Sequence, residues 1–477
     1  MTETATGDAA PEGAAGDDAG GADPTAPGVG EGWAVDAPPV ADLPEVLAVA
    51  VAGDAEIEEA ADLPAPAGEA HKPGLRDATT AFRYRNFALF WSGALLSNTG
   101  TWVQNVTVPY VVFKLTGSAG WLGVAAFAQL FPAWLMGPTG GVIADRFPRR
   151  SVLLVTQSAM AALALLEAVV WAAGVRSAPV IVGIVALSGI VAGLNIASWQ
   201  AFVTELVPRE HLLNAVTLNS AQFNASRAFG PALGGLVLAG LGVTWAFLIN
   251  AVSFIAVIGA LLLISVPVIV AKAEGKPRII AEFRESIRYT RTKPGIVTCI
   301  LVVMALGLFG SPVFTLLVVF ADDVYGVGRG LYGLLGAALG LGAIIGTPIV
   351  AGWGSGILRS RLMSGALVIY GAALVAFALS PGYWWGIAAL LVAGGGYLAV
   401  ASTLNTTLQL LVDEHMRGKV IALYLMGLTG TVPLGNLIQG WATEAIGPRS
   451  TVVVGGAAFL AVTFWLATSR RLRLMDG

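Results

Sequence analysis

Two charged side chains stand deep inside long apolar runs, Glu167 in the run 152–173 and Arg227 in the run 215–238. Glu167 is the deepest carboxylate, and proton exchange needs an ionisable group of this kind that changes its exposure; a structural role is the other reading. Arg227 requires compensation, because a guanidinium at mid-membrane costs at least about 2.5–3.5 kcal/mol on insertion scales. An anionic ligand, a gate carboxylate or the backbone carbonyls beside Pro231 would each supply it. A third group is clustered in Gly141-Val-Ile-Ala-Asp145-Arg146-Phe-Pro-Arg149-Arg150. There Gly141 permits close helix approach, Asp145 can accept hydrogen bonds from a helix terminus or a basic side chain, and Glu205 is a candidate partner for Arg149. Gly230-Pro231-Ala-Leu-Gly234-Gly235 predicts a bent helix with a tight interface. None of this is catalytic chemistry. One cysteine, Cys299, and three histidines exclude a disulfide framework and a multi-cysteine metal site. The chain also lacks a nucleotide-binding loop, a nucleophile elbow and carboxylates paired at one depth. No enzymatic activity, cofactor or metal is expected.

The elements that must hold these residues are membrane helices. The chain is 56% hydrophobic and 12% charged, with a mean hydropathy of +0.75, whereas soluble domains carry about 25% charge. Beyond Phe87 come twelve apolar segments, at 89–113, 121–144, 152–173, 180–203, 215–238, 245–266, 296–320, 331–351, 362–379, 384–404, 420–441 and 452–467. Each matches the roughly 20 residues a helix needs to cross hydrocarbon. An all-α integral membrane protein with twelve transmembrane helices is predicted. With the loops alternating, 22 Lys and Arg fall on one side and four on the other, which places both termini in the cytoplasm and the protein in the plasma membrane.

Residues 1–78 hold 17 acidic residues against Lys72 and Arg76. That composition reads as a disordered acidic cytoplasmic tail without a secretory signal. A six-helix bundle over 79–266, a basic linker over 267–294 able to form a surface helix, a second six-helix bundle over 295–469 and a short basic tail over 470–477 complete the expected organisation. The Glu-His pairs at Glu210-His211 and Glu414-His415 recur at an offset of 204 residues, as two parallel halves of a transporter would require.

The Gly-to-Asp-Arg spacing of Gly141, Asp145 and Arg146 and the following basic pair, in the loop between the second and third spans, resemble the signature of the major facilitator superfamily. Residues 82–93, Leu115-Thr-Gly-Ser118 and Phe320-Ala-Asp-Asp323-Val-Tyr-Gly326 are similar to the branch containing enterobactin and macrolide exporters. The resemblance implies that Gly141, Asp145, Arg146, Arg149, Arg150 and Glu205 latch a cytoplasmic gate. It also implies that Gly230, Pro231, Gly234 and Gly235 form an antiporter-type motif. Polar residues then recur in spans that line the cavity of this superfamily: Asn98, Trp102, Gln104 and Asn105, Asn195 and Gln200, Gln222, Asn224 and Arg227, Asn405 and Gln409. Grouped neutral amides and aromatics suit a sizeable amphipathic substrate, although helix–helix hydrogen bonding accounts better for any single amide and only the grouping points to a site.

Three departures from the family pattern stand out. Pro148 replaces a frequent Gly, Gly356 occupies the acid's place in the second-half counterpart of the loop, and Thr101 follows Gly100 where relatives carry Asp. The resulting expectation is a monomeric secondary transporter exporting a drug, natural product or siderophore. Protons drive it, with Glu167 as the coupling site, the lipid bilayer as its surroundings and no nucleic acid partner. An uptake permease and a non-transporting sensor are the alternatives.

Overall fold

The computed structural model describes residues 77–266, 279–354 and 357–476. The acidic tail up to residue 76, the first part of the basic linker and Gly356 lie outside the described residues. Among those described, twelve long helices span the molecule: α1 (Arg85–Thr116), α2 (Ala119–Arg146), α3 (Arg149–Ala172), α4 (Ala178–Thr204), α5 (Leu212–Gly240) and α6 (Val243–Leu263), then, after a short helix α7 (Ile279–Thr292), α8 (Pro294–Val324), α9 (Arg329–Gly354), α10 (Arg359–Ala378), α11 (Tyr383–Leu411), α12 (Arg417–Ile446) and α13 (Pro448–Thr468). The long helices contain 20 to 32 residues, about 30–48 Å at 1.5 Å per residue. Ten are apolar enough to cross a membrane by composition alone. The other two, α1 and α5, carry Asn98, Gln104 and Asn105, and Gln222, Asn224 and Arg227 respectively.

Tight turns keep neighbouring helices antiparallel. Gly117 ends α1 in the left-handed region at φ 61°, and the Ser118 hydroxyl then caps α2 by accepting from Trp121 N at 3.1 Å. Within α8 the ladder widens to π geometry at Leu306–Gly310 and Phe320–Val324. The Gln439 amide compensates the first of these, donating to the carbonyls of Leu308 at 3.0 Å and Phe309 at 3.1 Å. Asp476 closes the start of α10, accepting from Ser360 N at 2.9 Å and from its hydroxyl at 2.6 Å. The amphipathic α7 ties the linker to α12 through Lys419 and Glu285 at 2.9 Å, and that ammonium holds the Glu285 carboxyl below the usual range.

The helix pairings repeat. In the first half α1 packs on α5 and α6, α2 on α4, and α3 on α4 and α6; in the second, α8 packs on α12 and α13, α9 on α11, and α10 on α11 and α13. The two most extensive contacts between halves, α5 with α9 and α2 with α12, exchange under the same correspondence. These are two pseudo-symmetric six-helix bundles. Lipid-facing positions retain large apolar side chains such as Phe464 and Leu236, and Trp245, Trp384 and Trp385 are exposed at helix starts, as interfacial aromatics are. Arg149, Arg150, Arg359, Arg417 and Lys419 all stand at one end of the bundle, here termed the basic end.

Candidate functional site

Two seams of small residues join the halves, and both run from the end opposite the basic one to mid-helix. In the α5–α9 seam a Cβ placed on Gly235 would lie 2.8 Å from both the Gly330 carbonyl and Gly333 Cα, and one on Gly336 would lie 2.9 Å from Pro231. The innermost of these glycine approaches is Gly340 against Ala228, while Gly342 and Gly346 lie on the adjoining face of α9 that meets Leu391 and Gly395 of α11, in their own half. In the α2–α12 seam Gly123 abuts the Asn436 carbonyl and Gly440 the Ala119 carbonyl, and the approaches reach Trp134 opposite Gly430. Backbones this close gain dispersion contacts that side chains would prevent. The four motif residues divide by helix face. Pro231 and Gly235 meet α9, while Gly230 and Gly234 receive Trp102 and Val103 of α1.

Polar pins cover the far end of the seams. Lys114 pairs with Asp322 at 2.7 Å, Glu444 accepts from the Ser118 hydroxyl and from Gly120 N, and the Tyr332 hydroxyl donates to the Val106 carbonyl at 3.2 Å. The Lys114–Asp322 pair is 44% and 38% exposed, and exposed pairs contribute about 0–1 kcal/mol. Asp322→Asn is therefore expected to change transport by less than about five-fold in a vesicle assay, the apolar seam carrying most of the closure.

Arg227 lies mid-helix on α5, beside the point where the α5–α9 seam stops. Its guanidinium carbon is 5.7 Å from the Phe314 ring centroid and 5.3 Å from that of Tyr397, both in the second half. Tyr397 meets Phe314 edge-on at 6.3 Å and Tyr370 at 5.8 Å. Asn224 stands one turn away on the same face, its amide donating to the Ser220 carbonyl at 3.1 Å.

Most of the other candidate amides bridge helices. Asn98 donates to Gln222 at 3.2 Å, Gln104 accepts from Asn250, Asn105 accepts from Gln129 at 3.3 Å, and Asn195 accepts from Thr156 at 2.8 Å and Gln157 at 3.1 Å. Asn405 is buried, whereas Trp102 and Gln200 are half-buried and Gln409 has a polar interaction of its own. Sequence reasoning missed Asn250, Gln129, Thr156 and Gln157 as partners and the trio Phe314, Tyr370 and Tyr397. A lone amide in an otherwise apolar span, as Asn250 is in α6, was the available signal.

At the basic end Arg149 pairs with Glu205 at 2.7 Å, with side chains 18% and 9% exposed. Burial pushes the Glu205 carboxyl above the ordinary range, and the Arg149 guanidinium only partly opposes it. Arg150 caps α6, donating to the carbonyls of Leu261 at 2.6 Å and Leu262 at 3.1 Å. Gly141 is buried, Asp145 is half-buried without a hydrogen bond among the described residues, and Arg146 is exposed. Glu167 is fully buried on α3, and neither carboxylate oxygen has a hydrogen-bond partner among the described residues. No cluster of metal-binding side chains occurs among them.

Comparison with known proteins places this geometry. The chain is 25% identical over 391 residues to a Staphyloferrin A transporter of Staphylococcus aureus, covering 81% of this chain and 96% of that protein. It is 25% identical over 378 residues to the Multidrug efflux pump Tap of Mycobacterium bovis, covering 75% and 87%. Its fold matches the crystal structure of a bacterial homolog of the human lysosomal transporter Spinster in an inward-facing, unoccupied conformation, with a TM-score of 0.63 at 15% identity over 85% of this chain and 98% of the other. The profile of the transmembrane secretion effector family matches residues 77–477, and with twelve helices in two seamed bundles the chain belongs to that family of major facilitator transporters.

Proposed function

We propose that the protein is a proton-driven exporter of small organic molecules that works by alternating access, with its basic end and both termini in the cytoplasm. The observation that carries this reading is the pair of seams, α5–α9 and α2–α12, whose glycine approaches among the described residues run from the far end to mid-helix. With the basic end cytoplasmic, that arrangement is the inward-open member of a rocking pair. On closing of the basic end Asp145, which has no hydrogen bond among the described residues, would find a partner across the halves. The export direction draws support from relatives whose names are those of efflux pumps and from Pro231 with its flanking glycines. Glu167, a buried carboxylate without a hydrogen-bond partner among the described residues, is the group assigned to proton exchange; it acts at a distance from the substrate, within α3.

The test uses everted membrane vesicles energised by respiration and a panel of fluorescent dyes and antibiotics. Export in the cell reads as uptake into these vesicles. Wild type is expected to accumulate at least one panel member and to lose that accumulation with a protonophore. Asp145→Asn and Glu167→Gln are each expected to reduce it by at least ten-fold. Accumulation that survives the protonophore overturns proton coupling, wild-type rates in Glu167→Gln overturn that residue's role, and extrusion from everted vesicles overturns the direction.

A further inference from the structure

We infer that the mid-membrane site is an anion receptor, in which Arg227 holds a carboxylate of the substrate while Tyr397 and Phe314 receive its planar or apolar body. The inference deepens the alternating-access reading above and is independent of the transport direction.

The argument begins with a missing counter-ion. Of the 13 acidic residues beyond residue 78, twelve stand near helix ends or in the linker and its short helix: Asp145, Glu205, Glu210, Glu274, Glu282, Glu285, Asp322, Asp323, Asp413, Glu414, Glu444 and Asp476. The thirteenth, Glu167, is enclosed on α3, which packs on α4 and α6 and not on α5. Among the described residues, then, no protein carboxylate faces Arg227. Backbone carbonyls beside Pro231 are the structural alternative, and the guanidinium makes no hydrogen bond to them among the described residues. It rests half-buried over two aromatic rings at 5.3 and 5.7 Å, an arrangement that leaves its donor edges unused. A half-buried guanidinium with a free planar fork selects carboxylates, which it can bind through two parallel hydrogen bonds.

Position supplies the second strand of the argument. Arg227 adjoins Ala228, the α5 residue met by Gly340 in the innermost of the glycine approaches between the halves, so it sits at the inner limit of that seam among the described residues. Its charge belongs to the first half and the aromatic rings to the second. A ligand held by both spans the hinge, and its binding can bias the rocking equilibrium, as substrate coupling requires. Behind Tyr397 the Tyr370 hydroxyl is buried without a hydrogen-bond partner among the described residues, which marks a further polar group with capacity to spare. The predicted ligand class is an amphipathic organic anion bearing a carboxylate, and cations of the same size and shape are disfavoured by Arg227.

The test is direct binding to the purified full-length protein in lipid nanodiscs, read by fluorescence anisotropy. The probes are fluorescein and rhodamine 6G, two xanthene dyes of similar size and opposite charge near neutral pH. Wild type is expected to bind fluorescein saturably and more tightly than rhodamine 6G. Arg227→Gln should weaken fluorescein by at least ten-fold without weakening rhodamine 6G, and Arg227→Lys should fall between, since it keeps the charge but loses the fork. Tyr397→Ala should weaken both dyes and so separates ring contact from charge. If Arg227→Gln is not monodisperse on size exclusion, Arg227→Lys and Tyr397→Ala decide. Fluorescein binding within two-fold of wild type in the Arg227 variants, equal weakening of both dyes, or no saturable fluorescein binding by the wild type overturns the proposal. Because binding is read without a gradient, a failed vesicle assay with intact charge-selective binding would indict the exporter reading alone.

Discussion

Gly333→Val is expected to reduce transport by at least ten-fold, while Gly259→Ala stays within about two-fold of wild type. A Cβ on Gly333 would fall 2.6 Å from Gly235 Cα and 2.7 Å from its nitrogen, and would also strike the Pro231 carbonyl. All three obstacles are backbone, so no rotamer change relieves the clash and α5 and α9 must separate. Overpacking of this kind typically costs about 1–3 kcal/mol, which shifts a two-state equilibrium by about 5- to 150-fold. The cost falls only on the state in which the seam is closed, because each six-helix bundle keeps its own packing. The protein should therefore remain folded, with a near-normal elution profile and thermal midpoint, yet be unable to complete its cycle. Gly259 serves as control because a Cβ there meets nothing within 4 Å. Wild-type rates in Gly333→Val, measured in the same everted vesicles, would remove the α5–α9 seam from the transport cycle.

Arg149→Ala should be among the most destabilising substitutions at the basic end, and its deficit should shrink with acidification. Breaking a buried pair by removing one partner commonly costs about 3–5 kcal/mol, since the remaining charge is left uncompensated. Glu205, at 9% exposure, would be that charge, and protonation is its escape. Its carboxyl already lies above the ordinary range because burial outweighs Arg149; without the guanidinium it rises further. For a carboxyl raised on folding, the penalty is complete above the folded pKa and is relieved as pH falls through it. Thermal midpoints of the purified variant should therefore approach those of wild type as the pH is lowered toward the ordinary carboxylate range. The double variant Arg149→Ala with Glu205→Gln should be more stable at pH 8 than Arg149→Ala alone. A deficit that is flat with pH, or a double variant as unstable as the single, would show that Arg149 acts through packing and its contact with the Ala201 carbonyl instead of through charge.

The superfamily resemblance and the twelve spans were legible because both rest on local features. The former needs a few residues at short spacing, as in Gly141, Asp145 and Arg146, and the latter needs only runs of apolar side chains. Arg149 with Glu205 was also foreseeable, since the two charges end adjacent helices with little else nearby to satisfy them. The fates of the amides were less so. Gln104 and Asn105 are consecutive, and one turns to Asn250 on α6 while the other turns to Gln129 on α2. Their spacing along α1 says that they face different directions but not what stands there.

The sequence by itself determined the number and order of the helices, the depth of Glu167 and Arg227, and the membership of the chain in its family. Only the tertiary structure decided that Arg227 faces Tyr397 and Phe314, that Pro231 and Gly235 meet α9 while Gly230 and Gly234 meet α1, and that the seams stop at mid-helix. The reason is physical. In water the hydrophobic face of a helix declares which side is buried, but in a bilayer lipid and protein interior are alike apolar, so hydropathy carries no direction. Packing is then chosen by shape and by a few polar partners distant in the chain.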